Sequence, residues 1–294
     1  MYFNCKSNNV LKIYGISQNP DTEEYIMVLE YAKGGNFNDW INKNYTIFNW
    51  INKLLTLSNI IDGLKDIHQQ RMIHCDFHTG NILFKYNSLM KNNAHISDMG
   101  LCNQVDNSMG ETKIYGVMPY VAPEVLRTKP FTQAADIYSF GMMMYFVATG
   151  RQPFADRAHD EFLALDICNG IRPEINDLEV PKCYISLMER CWDSNPDNRP
   201  NAIKISEWVL LFWESYIKGD VQSFTSIEEA EPCEIKNQFE KAEGYRKLHF
   251  SSVENRKQPT THPQAIYTSR LLNPFTKDLP KYDNSECISC EITD

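Results

Sequence analysis

Between Val10 and Tyr31 apolar residues dominate two short runs, "VLKIYGI" and "YIMVLEY", separated by the polar stretch "SQNPDTEE". Turn-forming residues between two strand-like runs predict a β-hairpin. The two glycines of "KGGNFNDWI" break this pattern and lead into a short helix. From Trp50 the period changes: Trp50, Leu54, Leu57, Ile61, Leu64 and Ile67 recur at three- and four-residue steps. That is one apolar stripe along a helix, with Asn49 placed as its N-cap. A second strand pair, "NILF" and "AHIS", precedes a loop rich in Gly, Asn, Asp and Ser from Asp98 to about Thr112.

Beyond Pro130 the pattern is helical. "AADIYSFGMMMYFVAT" is apolar on nearly every side and stops at Gly150, which predicts a buried helix with glycine after its last turn. "DEFLALDICNG" repeats that design, and "YISLMERCW" and "AIKISEWVLLFW" give two more helices around the turn "DSNPDNRP". Strands in front of a helical body make an α+β domain. After about Lys218 the texture turns polar. "IKNQFEKAEGYRKL" predicts an amphipathic helix with Ile235, Phe239 and Ala242 on one face, and "YTSRLLNPF" is a short apolar patch. The rest reads as a partly disordered tail able to dock. No internal repeat is visible.

Composition narrows the classes. A chain of 294 residues that is 43% apolar and 12% aromatic can bury a full core. Its net charge of −9 argues against nucleic acid or an acidic membrane as the main partner. The longest apolar run, "GMMMYFVA", falls well short of the ~18–20 residues of a membrane span. "MYFNCKSNNV" lacks the order of a secretory signal, and nine scattered cysteines fit reduced thiols, so a cytoplasmic protein is expected. Cys287 and Cys290 form a single C-x-x-C without a second ligand pair and read as tail, as does the acidic run "EEAEPCE".

The chemistry concentrates in "MIHCDFHTGNIL", which sets His74, Asp76 and Asn81 on one loop between a helix and the second strand pair. Asp98 heads the loop directly after that pair, and a hairpin returns its ends to one edge, so these groups converge. A carboxylate and an amide oxygen suit Mg²⁺ whose remaining ligands are phosphate oxygens. A further, unliganded carboxylate suits the orientation of a hydroxyl nucleophile. Taken singly, each group reads as readily as a core histidine or a turn aspartate.

Together and in order they resemble the protein kinases. "HCDFHTGN" is similar to the catalytic loop H-R-D-x-x-x-x-N, "DMG" (98–100) to D-F-G, and "APE" (122–124) follows at activation-segment distance. "DIYSFG" resembles the D-x-x-S-x-G helix of the C-lobe, and "CWDSNPDNRP" supplies the late arginine, Arg199. With the hinge-like "MVLEYAKGG" the resemblance covers about residues 8 to 215, in the style of the tyrosine-kinase-like group and its expanded fungal sets.

The resemblance implies a protein-kinase-like α+β fold: a partial N-lobe and hinge over 1–33, a mostly helical C-lobe over 34–217, and a polar tail over 218–294. It implies ATP and Mg²⁺ as cofactors and a protein as substrate. Asp76 would be the base, with Asn81 and Asp98 holding Mg²⁺. Leu83 would floor the adenine, Leu29 would be the gatekeeper, and the backbone of Glu30 to Ala32 would read the adenine edge. Ile13, His74 and Met99 would stack as the apolar spine, Glu124 and Arg199 would pair, and Asp136 would hold the loop backbone. Ser108, Thr112 and Tyr115 would be candidate phosphosites, yet Cys75 stands where the family's phosphate-gripping arginine usually does. His78 replaces the usual lysine of serine/threonine kinases and Val117 their threonine, so Ser/Thr is favoured over Tyr only slightly.

The chain contains no G-x-G-x-x-G loop, and neither Lys6 nor Lys12 has the context of the strand lysine. By the family's pattern it begins after the helix that should follow them. Weak transfer by this chain alone is therefore expected, as is exposed apolar surface around Ile13, Met27 and Leu29 for a partner protein to cover. The alternative is a kinase-derived scaffold that transfers no phosphate, a role with no chemical need for Asp76, Asn81 and Asp98 together.

Overall fold

Asn19 makes the first hairpin: its side chain accepts the amides of Asp21 and Thr22, turning β1 (Ile13–Gln18) into antiparallel β2 (Tyr25–Leu29). The computed structural model describes residues 7–86, 93–104, 113–219, 232–250, 261–277 and 279, so Ser108, Thr112, Cys287 and Cys290 lie outside it. Among the described residues β2 pairs with β1 and no other strand, and all five of its residues are exposed. The chain just before β1 is tied down instead: Leu11 donates its amide to the Ile96 carbonyl at 2.8 Å.

β3 (Gly35–Asn36) leads into α1 (Phe37–Asn44), capped by Asn36, and then α2 (Trp50–Gln69), capped by Asn49. β4 (Met72–Ile73), β5 (Ile82–Phe84), β6 (Ala94–Ile96) and β7 (Asn103–Gln104) follow. β5 lies between β3 and β6, while β4 pairs with β7, so the segment joining β4 to β5 and the segment joining β6 to β7 are held side by side. An aromatic cluster seats this sheet on the helices: Trp40 stacks on Phe84 at 4.2 Å, and Phe37 and Phe48 meet it edge-on. Full burial of side chains this size stabilises by about 1.5–3 kcal/mol each.

β8 (Tyr115–Gly116) and α3 (Pro123–Leu126) precede α4 (Gln133–Thr149), which is buried throughout from Ala135 to Thr149 and ends on Gly150 at φ +69°. Glycine takes this left-handed position without the Cβ penalty, and its amide closes the last turn on Phe146. α5 (Glu161–Cys168), α6 (Lys182–Cys191) and α7 (Ala202–Lys218) complete the body; α2 packs on α7 and α4. Lys53, outside the apolar stripe of α2, is buried as well. Its ammonium donates to the Ala148 carbonyl at 2.6 Å, filling one of the acceptors left open at the end of α4. Burial pushes its pKa down to about 8.

The tail is more ordered than its polarity suggested. α8 (Pro232–Phe250) buries Ile235, Phe239 and Ala242, the predicted face, with Phe239 against Trp50 and Tyr216. Glu243 accepts the Trp50 amide, an unpaired donor at the start of α2, and is itself paired with Arg246. β9 (Arg270–Leu271) pairs with β8, and α9 (Asn273–Thr276) follows. Among the described residues no helix is long and apolar enough to cross a membrane.

Candidate active site

Asp136, in the first turn of α4, shapes the loop after β4. Its Oδ2 accepts the His74 amide at 2.8 Å and faces His68 Nε2 at 2.9 Å, while Oδ1 accepts the Cys75 amide at 3.1 Å. Cys75 is thereby held at φ +68°, a conformation that costs a side-chain-bearing residue about 1–3 kcal/mol. Hydrogen bonds to a buried charge, at about 1.5–3 kcal/mol each, offset that strain.

His74 is fully buried. Burial pushes its pKa down, outweighing the pull of Asp136 and of its bond to Ser97. Nε2 donates to the Ser97 carbonyl at 3.1 Å and Nδ1 accepts the Asp76 amide at 3.3 Å, so the ring joins the Asp76 loop to the strand before Asp98. Met99 is buried too, and Cys102 Sγ touches both Met99 Sδ at 3.4 Å and the His74 carbonyl at 3.6 Å. Ile13, half-buried opposite Leu29, lies outside the buried core that contains Met99.

Asp76 is 7% exposed, and its Oδ1 has no close hydrogen-bond donor. His78 Nε2 stands 3.5 Å from that oxygen. Burial raises the Asp76 pKa, but hydrogen bonding and charge from His78, with Ser269 and His74, hold it below its ordinary 3.8. The Asp76 carboxylate is ionised at neutral pH. Asn81 turns its amide nitrogen onto the Asp76 carbonyl at 2.9 Å and Oδ2 at 3.5 Å, which leaves its amide oxygen available as a ligand. Ser97 grips the Asn81 carbonyl through both its amide and its hydroxyl, at 2.8 Å each. Asp98 sits at φ +52°, its carboxylate exposed and anchored by the Gly100 amide at 3.2 Å.

Two oxygen donors on adjoining loops fit magnesium, which dehydrates reluctantly and takes few protein ligands beside phosphate. A metal held by protein alone would need more, and no group of three or more His, Cys, Asp or Glu among the described residues could hold one.

Leu83 lies half-buried in β5, between buried Ile82 and Phe84 and opposite Asn36 and His95. Nearby, Leu29 is exposed; Glu30 donates its amide to Lys12 and pairs its carboxylate with Lys85 at 3.1 Å; the Ala32 carbonyl accepts the Gly35 amide. Glu124 and Arg199 form a buried two-pronged pair at 2.7 and 2.8 Å, and Arg199 also donates to the Ala134 and Asp193 carbonyls. Tyr115 lies partly exposed in β8.

The protein kinase domain family matches residues 1–210. The chain belongs to the protein kinase family. A probable serine/threonine-protein kinase of Dictyostelium discoideum is 32% identical over 200 residues, 67% of this chain and 12% of that protein. Serine/threonine-protein kinase STY17 of Arabidopsis thaliana is 28% identical over 183 residues, 62% of this kinase and 31% of the relative. Receptor-interacting serine/threonine-protein kinase 1 of Homo sapiens is 28% identical over 238 residues, 74% and 34% respectively. This kinase chain thus spans roughly an eighth to a third of the length of these relatives.

Sequence reasoning missed the braces. The Tyr120 hydroxyl donates to Gln152 Oε1 at 2.8 Å and meets Thr79 Oγ1 at 3.3 Å, and Gln152 in turn bonds Thr79 and Asn38. Glutamine in a turn carries no periodic signal, so nothing in the sequence of this kinase marked it.

Proposed function

We propose that the chain carries an ATP- and Mg²⁺-dependent protein kinase site, transferring the γ-phosphate to a protein hydroxyl with Ser/Thr favoured, in cytoplasmic signalling. Asp76 accepts the hydroxyl proton; Asn81 and Asp98 hold magnesium, whose charge would neutralise the phosphate oxygens. Leu83, Leu29 and the backbone of Glu30 to Ala32 take the adenine, and Ile13, His74 and Met99 form the spine. The observation that supports this reading most is the Asp76 carboxylate: ionised, buried, coupled to Asn81, with Oδ1 lacking a close donor. Such an oxygen is suited to receive a hydroxyl proton.

Transfer by this chain alone is expected to be slow, since it contains no glycine-rich loop, and preorganised charge around the phosphates does most of the work in phosphoryl transfer. The test is transfer from ATP and Mg²⁺ to a protein substrate, followed by identification of the modified residue type. Slow labelling of serine or threonine, abolished by Asp76→Asn, is expected. Labelling untouched by Asp76→Asn would overturn the assignment of the base. Fast transfer would overturn the expected slowness.

A further inference from the structure

An acceptor hydroxyl must reach Asp76, and β8 runs directly past it. A Cβ placed on Gly116 would lie 3.7 Å from Asp76 Oδ1. An edge of β8 is taken by the tail: Tyr115 pairs with Leu271 and Gly116 with Arg270, antiparallel. The pairing continues beyond the strands, with the Leu272 amide on the Ile114 carbonyl at 2.8 Å and the Ile114 amide on Asn273 Oδ1 at 2.7 Å. The residue before Arg270 is Ser269, whose side chain reaches the Asp76 carboxylate as a hydrogen-bonding neighbour.

A second seam fixes the same segment to the loop before α5. The His262 amide donates to Ala155 and the His159 amide to Gln264, at 2.8 and 3.1 Å. The Ile266 amide donates to His159 Nδ1 at 3.1 Å, the Tyr267 hydroxyl to Pro153 at 2.8 Å, and Arg270 to the His159 carbonyl at 2.6 Å. Leu272 is fully buried, and the Arg270 guanidinium lies 4.5 Å over the Phe275 ring. Main-chain pairing along an exposed edge, with side chains anchored alternately, is how an extended peptide is bound by a sheet. Tethering raises its local concentration further.

We propose that residues 262–277 are a tethered acceptor segment, lying in the groove a protein substrate would use and presenting Ser269 to Asp76. This rests on the phosphotransfer reading of the site and names the form of its acceptor: an extended, β-pairing strand with a serine hydroxyl. ATP is the co-reactant. The Ser269 proton passes to the Asp76 carboxylate, the bond from Ser269 Oγ to the γ-phosphorus forms, the bond from that phosphorus to the β–γ bridging oxygen breaks, and ADP leaves. The product sets a phosphate of about −1.5 to −2 charge beside a carboxylate, which expels the segment and opens the groove.

Amide hydrogen exchange on the full chain tests the docking without any need for activity. In the wild type, and in Ser269→Ala, the amides of Ile266, Arg270 and Leu272 are expected to be protected. Ser269→Glu is expected to lose that protection, and Asp76→Asn in the same chain to restore it. Free exchange of these amides in the wild type, or a Ser269→Glu chain as protected as the wild type, would overturn the proposal. Phosphosite mapping after incubation with ATP and Mg²⁺ tests the acceptor, with label expected on Ser269. Label on an added basic protein but never on Ser269 overturns its acceptor role. No label anywhere, with the exchange pattern as expected, upholds the docking and sinks the phosphotransfer reading instead.

Discussion

His78 accepts the Gly80 amide on Nδ1 at 3.1 Å, which turns Nε2 toward Oδ1 of Asp76, 3.5 Å away. The histidine thus stands as a distant donor beside Asp76, in the position where serine/threonine kinases tend to carry a lysine. Asp76 has a folded pKa depressed below 3.8, so the stability it contributes is present above that value and lost as pH falls through the folded one. His78→Leu removes the donor and leaves burial unopposed by it. The acid limb of single-turnover transfer against pH is expected to move to higher pH. An unmoved limb would show that His78 does not tune the base.

Asp136→Ala strips the partner from the His74 and Cys75 amides. Each buried N–H left unsatisfied costs about 1–3 kcal/mol, and Cys75 keeps its strained backbone without compensation. A loss of about 3 kcal/mol or more is expected, roughly 6–12 °C in melting temperature for a domain of this size. Thermal melts of the variant check it.

Arg199→Met leaves Glu124 as an uncompensated buried carboxylate, at a cost of about 3–5 kcal/mol. Glu124→Leu combined with Arg199→Met is expected to recover most of that loss, because two apolar residues need no partner. Urea denaturation of the single and double variants decides; a double variant no better than the single would contradict it.

Lys53 carries its charge at a desolvation cost where it lies. Its folded pKa of about 8 is below the ordinary 10.5, so the unfolded chain binds more protons between those values and folding gains stability as pH rises through them. Lys53→Met is expected to lose that rise. The comparison is the difference in stability between wild type and variant from pH 7 to 10.5; a constant difference would mean that Lys53 is not responsible.

Among the described residues β2 has an unpaired edge, and its five residues, Tyr25 to Leu29, are exposed. Exposed strand edges with apolar residues are templates for association. The purified chain is expected to run larger than a monomer in light scattering, and Ile26→Lys with Val28→Lys to shift it toward monomer. A monomeric wild type would remove the reason to expect a partner there.

The helices were legible because their apolar stripes are local: the Trp50 to Ile67 spacing and the Gly150 stop need no knowledge of the rest of the chain. The loop carrying His74, Asp76 and Asn81 was legible through its motif, and its approach to Asp98 through the hairpin between them. What stayed hidden depends on distant partners. Lys53 reads as a surface residue until α4 ends above it, and Gln152 until Tyr120 reaches it. The polarity of the tail concealed its order for the same reason. β9 has two residues, too few to show alternation, and is a strand only because β8 offers its edge.

The amides of His74 and Cys75 are fixed by a carboxylate 62 and 61 residues further along the chain. Closing so long a connection carries an entropic cost that local helices avoid. During synthesis at ~5–20 residues per second, roughly 3–12 seconds separate the emergence of the loop from that of the aspartate that shapes it. Over that interval the stripe of α2 is complete while the carboxylate that fixes the Cys75 turn has yet to emerge. The site is thus a late acquisition of the folding chain, made when α4 docks.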